Sequence, residues 1–169
     1  MLGRLTIMVD GAALRLPTSW RARLLLSMLL FESNQTQARE ILATRFWPDA
    51  SAAQARTNLR RELHHLRRAH PLLAGALQSA GDGLRWQYSH QTLVDVIDLE
   101  RHLLQANIAT DALARERHLK DAVAVYKAPL LAEFDNAWVS AKRSELEMKV
   151  QRAMQQLYKL HDANNDYSS

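Results

Sequence analysis

The stretch that decides the fold is residues 51–69, SAAQARTNLRRELHHLRRA, because it predicts one long amphipathic helix. Ser51 is a good N-cap at its start, and Pro71 follows shortly after its end. One face is apolar at helical spacing and consists of Ala52, Ala55, Leu59, Leu63 and Leu66. The polar residues that point largely away from this face are Thr57, Arg60, Arg61, His64, Arg67 and Arg68. Such a helix can pack its apolar face against a core while its arginines stay exposed.

Two more helices are predicted upstream of this one. The first is capped by Thr18 or Ser19, begins at Trp20 and ends near residues 33–34. The second is capped by Thr36 and is broken at residues 47–49, which read Trp-Pro-Asp. Three consecutive helices with short breaks between them are therefore expected.

A β-hairpin is predicted on each side of the three helices. The first combines the alternating residues 3–9, an Asp10-Gly11 turn and residues 14–17. The second places residues 77–79 and 84–88 around a Gly-Asp-Gly turn at 81–83. The order hairpin, three helices, hairpin predicts a winged helix-turn-helix over residues 1–91, with the last hairpin as the wing.

Beyond residue 93 the pattern is helical throughout. Apolar spacing predicts helices over about residues 95–106, 113–126 and 138–161. Helices of this length and order are typical of helical-repeat proteins, although no strict repeat of about 34 residues is visible. The expected architecture is mainly α, with an α+β N-terminal part followed by a tetratricopeptide-like domain over residues 92–169. The polar ending of the chain suggests that this second domain is truncated.

The charge is distributed unevenly along the chain. Residues 1–92 contain twelve Arg, no Lys and six acids, for +6, whereas residues 93–169 contain ten basic and twelve acidic residues, for −2. This asymmetry suggests a nucleic-acid-facing half and a partner-facing half. Guanidinium groups pair bidentately with phosphate and with guanine. A merely solvated basic face is the alternative.

Several protein classes have no support in the sequence. There is no cysteine, which excludes disulfides, thiolate catalysis and cysteine-based metal sites. No apolar run approaches the ~18 residues of a membrane span, the N-terminus does not resemble a signal peptide, and a cytoplasmic location is expected.

No enzyme, cofactor or metal site is predicted either. The catalytic and nucleotide-binding motifs GxSxG, GxxxxGK[ST], HExxH and GxGxxG do not occur. His64 and His65 diverge by about 100° on a helix and do not easily chelate one ion. The carboxylate pairs Glu145/Glu147 and Asp95/Asp98 are interpreted as solvated surface charges.

An ordered set of short segments resembles the SARP-type bacterial transcriptional regulators, which have an OmpR-like winged helix followed by a bacterial transcriptional activator domain (BTAD). The N-terminal segments that carry the resemblance are Leu14–Pro17, Arg21-Ala22, Arg39-Glu40, Trp47-Pro48-Asp49, Ala55-Arg56, Asn58-Leu59-Arg60 and Leu66-Arg67-Arg68. The C-terminal segments that resemble the BTAD are Val94-Asp95-Val96, Leu99-Glu100, residues 122–126, Pro129-Leu130-Leu131, Glu133-Phe134, Trp138-Val139 and Arg143. The chain departs from the family pattern at Trp20, Ala38 and Ala128, and a BTAD usually runs much longer.

The resemblance implies a sequence-specific DNA-binding regulator, an activator that binds promoter repeats and contacts RNA polymerase, with a possible homodimer on repeated half-sites. The loop Trp47, Pro48, Asp49 to Ser51 resembles the transactivation loop, where Trp47 also fits a packing role. The DNA-binding residues implied by the family register are Asn58, Arg60, Arg61, His64, His65, Arg67 and Arg68, with Arg56 and Thr57 as flanking candidates. Arg56 lies beside the apolar stripe and fits a bracing role equally well.

The second hairpin and the function retain alternatives. Arg85 is a candidate contact to the minor groove or to a phosphate, or else an exposed strand charge. Trp86 and Tyr88 are expected in the core or at a domain interface rather than stacked on bases. The alternative function is a helical-repeat interaction module of a signalling protein, whose basic face does not read DNA specifically.

Overall fold

The computed structural model describes residues 1–9, 12–33, 35–87 and 94–166, and it divides the chain into two compact units. One unit is Thr6–Thr92, called here the basic unit. The other combines Met1–Leu5 with Leu93–Ser169 and is called the helical unit. The described residues are mainly helical with small antiparallel sheets, as expected. No helix among them is long and apolar enough to cross a membrane.

The basic unit alternates short strands with helices. Its elements in chain order are β1 (Met8–Val9), β2 (Ala12–Ala13), α1 (Trp20–Phe31), β3 (Gln37–Ala38), α2 (Arg39–Phe46), α3 (Ala52–Ala69), α4 (Pro71–Ala76), β4 (Leu77–Ala80) and β5 (Gly83–Trp86). β1 pairs with β2, and a separate sheet has the order β3-β5-β4, with antiparallel neighbours.

The core of the basic unit forms around α1. Residues 24–30 of α1 are all buried, so this helix is enclosed on every side rather than amphipathic. α3 packs against both α1 and α2 through its predicted apolar stripe, of which Leu59, Leu63 and Leu66 are buried. Burying these leucines fixes the rotation of α3 about its own axis, and therefore decides which of its residues face outward.

Local patterns predicted most elements of this unit. Ser19 and Ser51 are the N-caps of α1 and α3, accepting from the backbone N–H groups of Ala22 and Gln54 at 3.3 Å. The second hairpin and the end of α3 at Ala69 are also confirmed. The Asp10-Gly11 turn, Asn34 and Tyr88 lie outside the described residues.

The prediction that Thr36 caps the second helix is wrong. Residues 37–38 first form β3, and α2 begins only at Arg39, with Ala38 as an N-cap that makes no side-chain hydrogen bond. β3 pairs with β5 at Ala38 and Gly83. A Cβ at Gly83 would lie 3.0 Å from the carbonyl oxygen of Gln37 and closer still to the Thr36 methyl. Glycine therefore permits the close approach that delays the helix.

Helix α4 is a further element that the sequence reading missed. Pro71 starts it at the first turn, where a missing N–H costs nothing, and His70 Nδ1 accepts from the N–H of Leu72 at 3.2 Å. Pro71 therefore begins a new short helix rather than a loop.

The helical unit contains α5 (Asp95–Ile108), α6 (Ala112–Val125) and α7 (Ala137–Asp166), which confirms the three predicted helices. α5 packs on α6, and α6 packs on α7. Residues 3–5 were expected to enter the first hairpin, but residues 1–5 pair instead with residues 129–132. Gly3 donates to Pro129 O at 2.8 Å, and its own carbonyl accepts from Ala132 N at 2.7 Å. The first hairpin is correspondingly shorter than predicted.

Candidate nucleic-acid interface

The exposed surface of α3 is the candidate interface, and helix geometry arranges it in three rows. Successive residues turn by about 100°, so residues 57, 61, 64 and 68 fall opposite the buried leucines. We call Thr57, Arg61, His64 and Arg68 the central row; all four are exposed. Arg56, Arg60 and Arg67 form one flanking row, and Asn58 and His65 form the other.

Nearly all of these predicted residues are exposed. Asn58 is the exception: it is half-buried, and its side-chain oxygen accepts from Gln54 Nε2 at 3.0 Å. Arg56 is exposed as well, which places it on the basic surface with Arg60. The structure therefore brings the predicted residues of α3 together on one continuous face, and whether each contacts DNA stays a prediction.

The only acid within α3, Glu62, is turned away from this face. Its side chain is buried at 4% exposure, and Arg61 Nε lies 3.4 Å from its Oε1. Ser19 Oγ donates to Glu62 Oε2 at 2.5 Å from the N-terminus of α1. The carboxylate thus lies near the N-terminal end of a helix, where the helix dipole favours an anion. It ties α3 to α1 and leaves the outer face of α3 positive.

Replacing Ser19 by Ala is expected to destabilise the basic unit by about 2–3 kcal/mol. The change removes an N-cap, worth about 1 kcal/mol, and also removes the hydroxyl that donates to a buried carboxylate. Denaturant unfolding followed by circular dichroism measures the loss. Ser51→Ala is the matched control, because it removes an N-cap at an exposed site without touching Glu62. Equal losses for the two variants would show that the bond to Glu62 adds nothing.

A groove beside the C-terminal half of α3 adds a residue that sequence reasoning missed. It has a volume of about 510 Å³, and the segment Arg15–Thr18 forms one wall. The α3 wall includes His64, His65 and Arg68. Arg15 thus adds a cation next to the central row. Arg15 belongs to one of the segments that carry the family resemblance. Its place in a groove with α3 could not be predicted from the sequence, because it depends on tertiary packing.

The loop predicted to contact RNA polymerase lies between α2 and α3. Pro48, Asp49 and Ser51 are exposed, whereas Trp47 is half-buried. The Trp47 ring lies 5.6 Å from the Phe46 ring, centroid to centroid, and the backbone N–H of Trp47 donates to Ala43 O at 3.0 Å. Trp47 therefore packs at the end of α2, while the rest of the loop is accessible to a partner.

The second hairpin exposes less of its side chains to a DNA ligand than predicted. Trp86 is buried, as expected for a core residue. Arg85 is half-buried, and its Nε is buried without a hydrogen-bond partner among the residues described. The alternative interpretation of Arg85 as an exposed strand charge is not supported, because the residue is half-buried. Its role in DNA binding stays a prediction.

Three of the four carboxylates interpreted as solvated charges, Asp95, Asp98 and Glu145, make structural contacts. Asp95 accepts from the backbone nitrogens of Met1 and Leu2 at 2.8 Å, which ties residues 1–5 to α5. Hydrogen bonds from Lys149 and Lys142 lower the pKa of Glu145. These three carboxylates therefore hold residues 1–5, α5 and α7 of the helical unit through hydrogen bonds and ion pairs.

Comparison with known proteins identifies a structural relative. Neither a protein-family model nor a curated protein sequence matches the chain. A solved structure of EmbR from Mycobacterium tuberculosis, in complex with a low-affinity phosphopeptide, matches with a TM-score of 0.75. The chain shares its fold with EmbR. The match covers 99% of this chain at 23% identity but 46% of the EmbR chain, so this chain spans about half the length of EmbR.

Proposed function

We propose that the chain is a sequence-specific DNA-binding transcriptional regulator of the SARP kind, with α3 as its recognition helix. The observation that carries this proposal is the outer face of α3, where exposed arginines and histidines lie opposite a buried leucine stripe. The only acid of α3, Glu62, is buried and does not lie on this face. The fold shared with EmbR, a regulator of this kind, supports the same class.

The three rows suggest a division of labour on DNA. A helix fits the major groove, about 12 Å wide, with its outermost residues toward the base edges and its flanks toward the two backbones. We therefore assign base reading to the central row, in which Arg61 and Arg68 pair with guanine. Arg56, Arg60 and Arg67 would contact phosphates of one strand, and Asn58 and His65 would contact the other.

The remaining parts of the proposal follow the family resemblance. The winged helix-turn-helix, predicted over residues 1–91, would lie in the basic unit, Thr6–Thr92. The helical-repeat part of a BTAD, predicted over residues 92–169, would lie in the helical unit, which also contains Met1–Leu5. The exposed loop residues Pro48, Asp49 and Ser51 would contact RNA polymerase when the protein activates transcription, and two copies would bind repeated half-sites. The protein would act in the cytoplasm, and it would not be an enzyme.

A helical interaction module is the second candidate, and one observation favours it. A groove of about 520 Å³ opens among α5, α6 and α7 of the helical unit. Leucine side chains and the cations Lys149 and Arg152 line this groove. Under this candidate, the basic unit would be a solvated surface and the groove would bind a protein partner.

Selection from a random duplex library with this chain separates the two functions. A sequence-specific regulator is expected to enrich a short motif, and the spacing of repeated motifs would reveal the arrangement of subunits. Enrichment should persist with excess heparin as a polyanion competitor. If no motif is enriched, or heparin displaces every bound duplex equally, the proposed function is wrong and the interaction module is favoured.

A further inference from the structure

Two histidines and one aspartate meet between α5 and α6 of the helical unit. His102 of α5 faces His118 and Asp121 of α6, and one donor atom from each residue lies within 4.8 Å of the other two. The Nδ1 atoms of His102 and His118 are 3.5 Å apart, and His102 Nδ1 lies 3.7 Å from Asp121 Oδ2. All three residues are partly buried. Three potential metal ligands thus converge on one point.

These separations fit a tetrahedral metal ion. Zinc ligands lie about 2.0–2.2 Å from the ion, so neighbouring donors of a tetrahedron lie about 3.4 Å apart. The two distances from His102 Nδ1 exceed that value by only a few tenths of an ångström. The three donors therefore lie close to the spacing that a tetrahedral metal site requires, all within 4.8 Å of one another.

A carboxylate lies near the other ring nitrogen of His102. Asp98, one turn earlier on α5, has its Oδ2 3.9 Å from His102 Nε2. When Nδ1 binds a metal, Nε2 carries the proton, and a carboxylate beside that proton orients the ring. Arg101 opposes binding, because its guanidinium lies 3.1 Å from the same Nε2. Arg101 also donates to Asp98 Oδ1. It therefore keeps that hydrogen bond when His102 Nε2 carries the proton and no longer accepts from the guanidinium.

We propose that His102, His118 and Asp121 bind a divalent metal ion of the zinc class and so join α5 to α6. Two neutral imidazoles and one carboxylate suit Zn²⁺, with a fourth position left to water. Sequence reasoning did not find the site because His102 is distant along the chain from the other two ligands. Only the antiparallel packing of α5 on α6 brings the ligands together.

Calorimetric titration of the untagged full chain with Zn²⁺ tests the proposal. One zinc ion is expected to bind per chain, and saturating Zn²⁺ should raise the melting temperature by mass action. Titration with Co²⁺ should give the visible absorption of a tetrahedral cobalt site. His118→Ala is expected to weaken zinc binding by at least about tenfold. Losing a residue that only orients a metal ligand already lowers metal affinity by about 10–100-fold, and His118 is proposed to bind the ion directly.

Controls separate this site from incidental binding. His161→Ala removes an exposed histidine of the same unit and should leave the affinity unchanged. If His118→Ala fails to fold by circular dichroism, Asp121→Asn, which preserves side-chain shape, decides instead. The absence of zinc binding, or equal affinity in wild type and the ligand variants, would overturn the site. Library selection in the presence of EDTA tests DNA binding separately, so the two proposals can fail independently.

Discussion

Replacing Arg61 and Arg68 together by Ala is expected to weaken binding to the selected duplex by roughly thirtyfold or more. Both arginines lie in the exposed central row, directly opposite the buried leucines of α3. A bidentate contact to a guanine contributes about 1–3 kcal/mol of discrimination, so losing two costs about 2–6 kcal/mol. The binding that remains should show little preference between the selected duplex and a scrambled one. Fluorescence anisotropy with both duplexes measures the affinity and the preference together.

The flanking row provides the contrasting variant. Arg60→Ala with Arg67→Ala removes the same formal charge but is expected to weaken both duplexes equally. The slope of log affinity against log salt should fall by about 2, because two phosphate contacts are lost. Arg117→Ala with Arg152→Ala, two exposed cations of the helical unit, is the charge-matched control and should change neither quantity. If both α3 variants lose affinity and preference alike, the division between central and flanking rows is wrong.

Replacing Arg143 by Ala is expected to destabilise the helical unit by about 3 kcal/mol. Its guanidinium donates to the carbonyl oxygens of Leu130, Leu131 and Phe134 at 3.0, 3.1 and 3.2 Å. The side chains of these three residues are buried, and Leu131 has a φ of +47°, in the left-handed region. Each hydrogen bond from a charged donor contributes about 1.5–3 kcal/mol of stability. After truncation, water that hydrogen-bonds to the freed carbonyl oxygens recovers part of this free energy.

Urea unfolding followed by circular dichroism and tryptophan fluorescence measures this loss. Arg143→Lys should recover only part of it, because one ammonium does not reproduce the planar fork that reaches three carbonyls. Arg152→Ala, an exposed arginine on the same helix, is the control and should change stability by less than about 0.5 kcal/mol. If Arg143→Ala lowers the free energy of unfolding by less than about 1 kcal/mol, residues 130–134 hold their conformation without the guanidinium.

The parts of the fold that the sequence predicted depend on neighbouring residues. Ser51, the leucines of α3 and the Gly-Asp-Gly turn form local patterns, and the structure has the corresponding cap, buried stripe and hairpin. The start of α2 could not be predicted, because β3 forms only by pairing with the distant β5. Likewise, residues 3–9 alternate like a hairpin strand, but the partners of residues 1–5 are residues 129–132.

The same distinction holds for the candidate sites. Helical periodicity alone predicted which arginines of α3 are exposed, since a buried stripe fixes the opposite face. It did not predict that Arg15 and Arg68 line one groove, or that His102 meets His118, because both depend on how separate elements pack. Glu62 carried a local signal: it follows Leu59 by three residues, so helix geometry places this acid on the buried side.

The pairing of residues 1–5 with residues 129–132 makes the basic unit an insertion within the helical unit. The polypeptide therefore enters and leaves the basic unit through two covalent connections, and a single protease cut in either one would not release it. Dividing the chain near residue 91 would leave Met1 and Leu5, both buried here, attached to the wrong fragment. An expression fragment of the basic unit should accordingly begin near Thr6, and the helical fragment should be supplied with residues 1–5 by circular permutation.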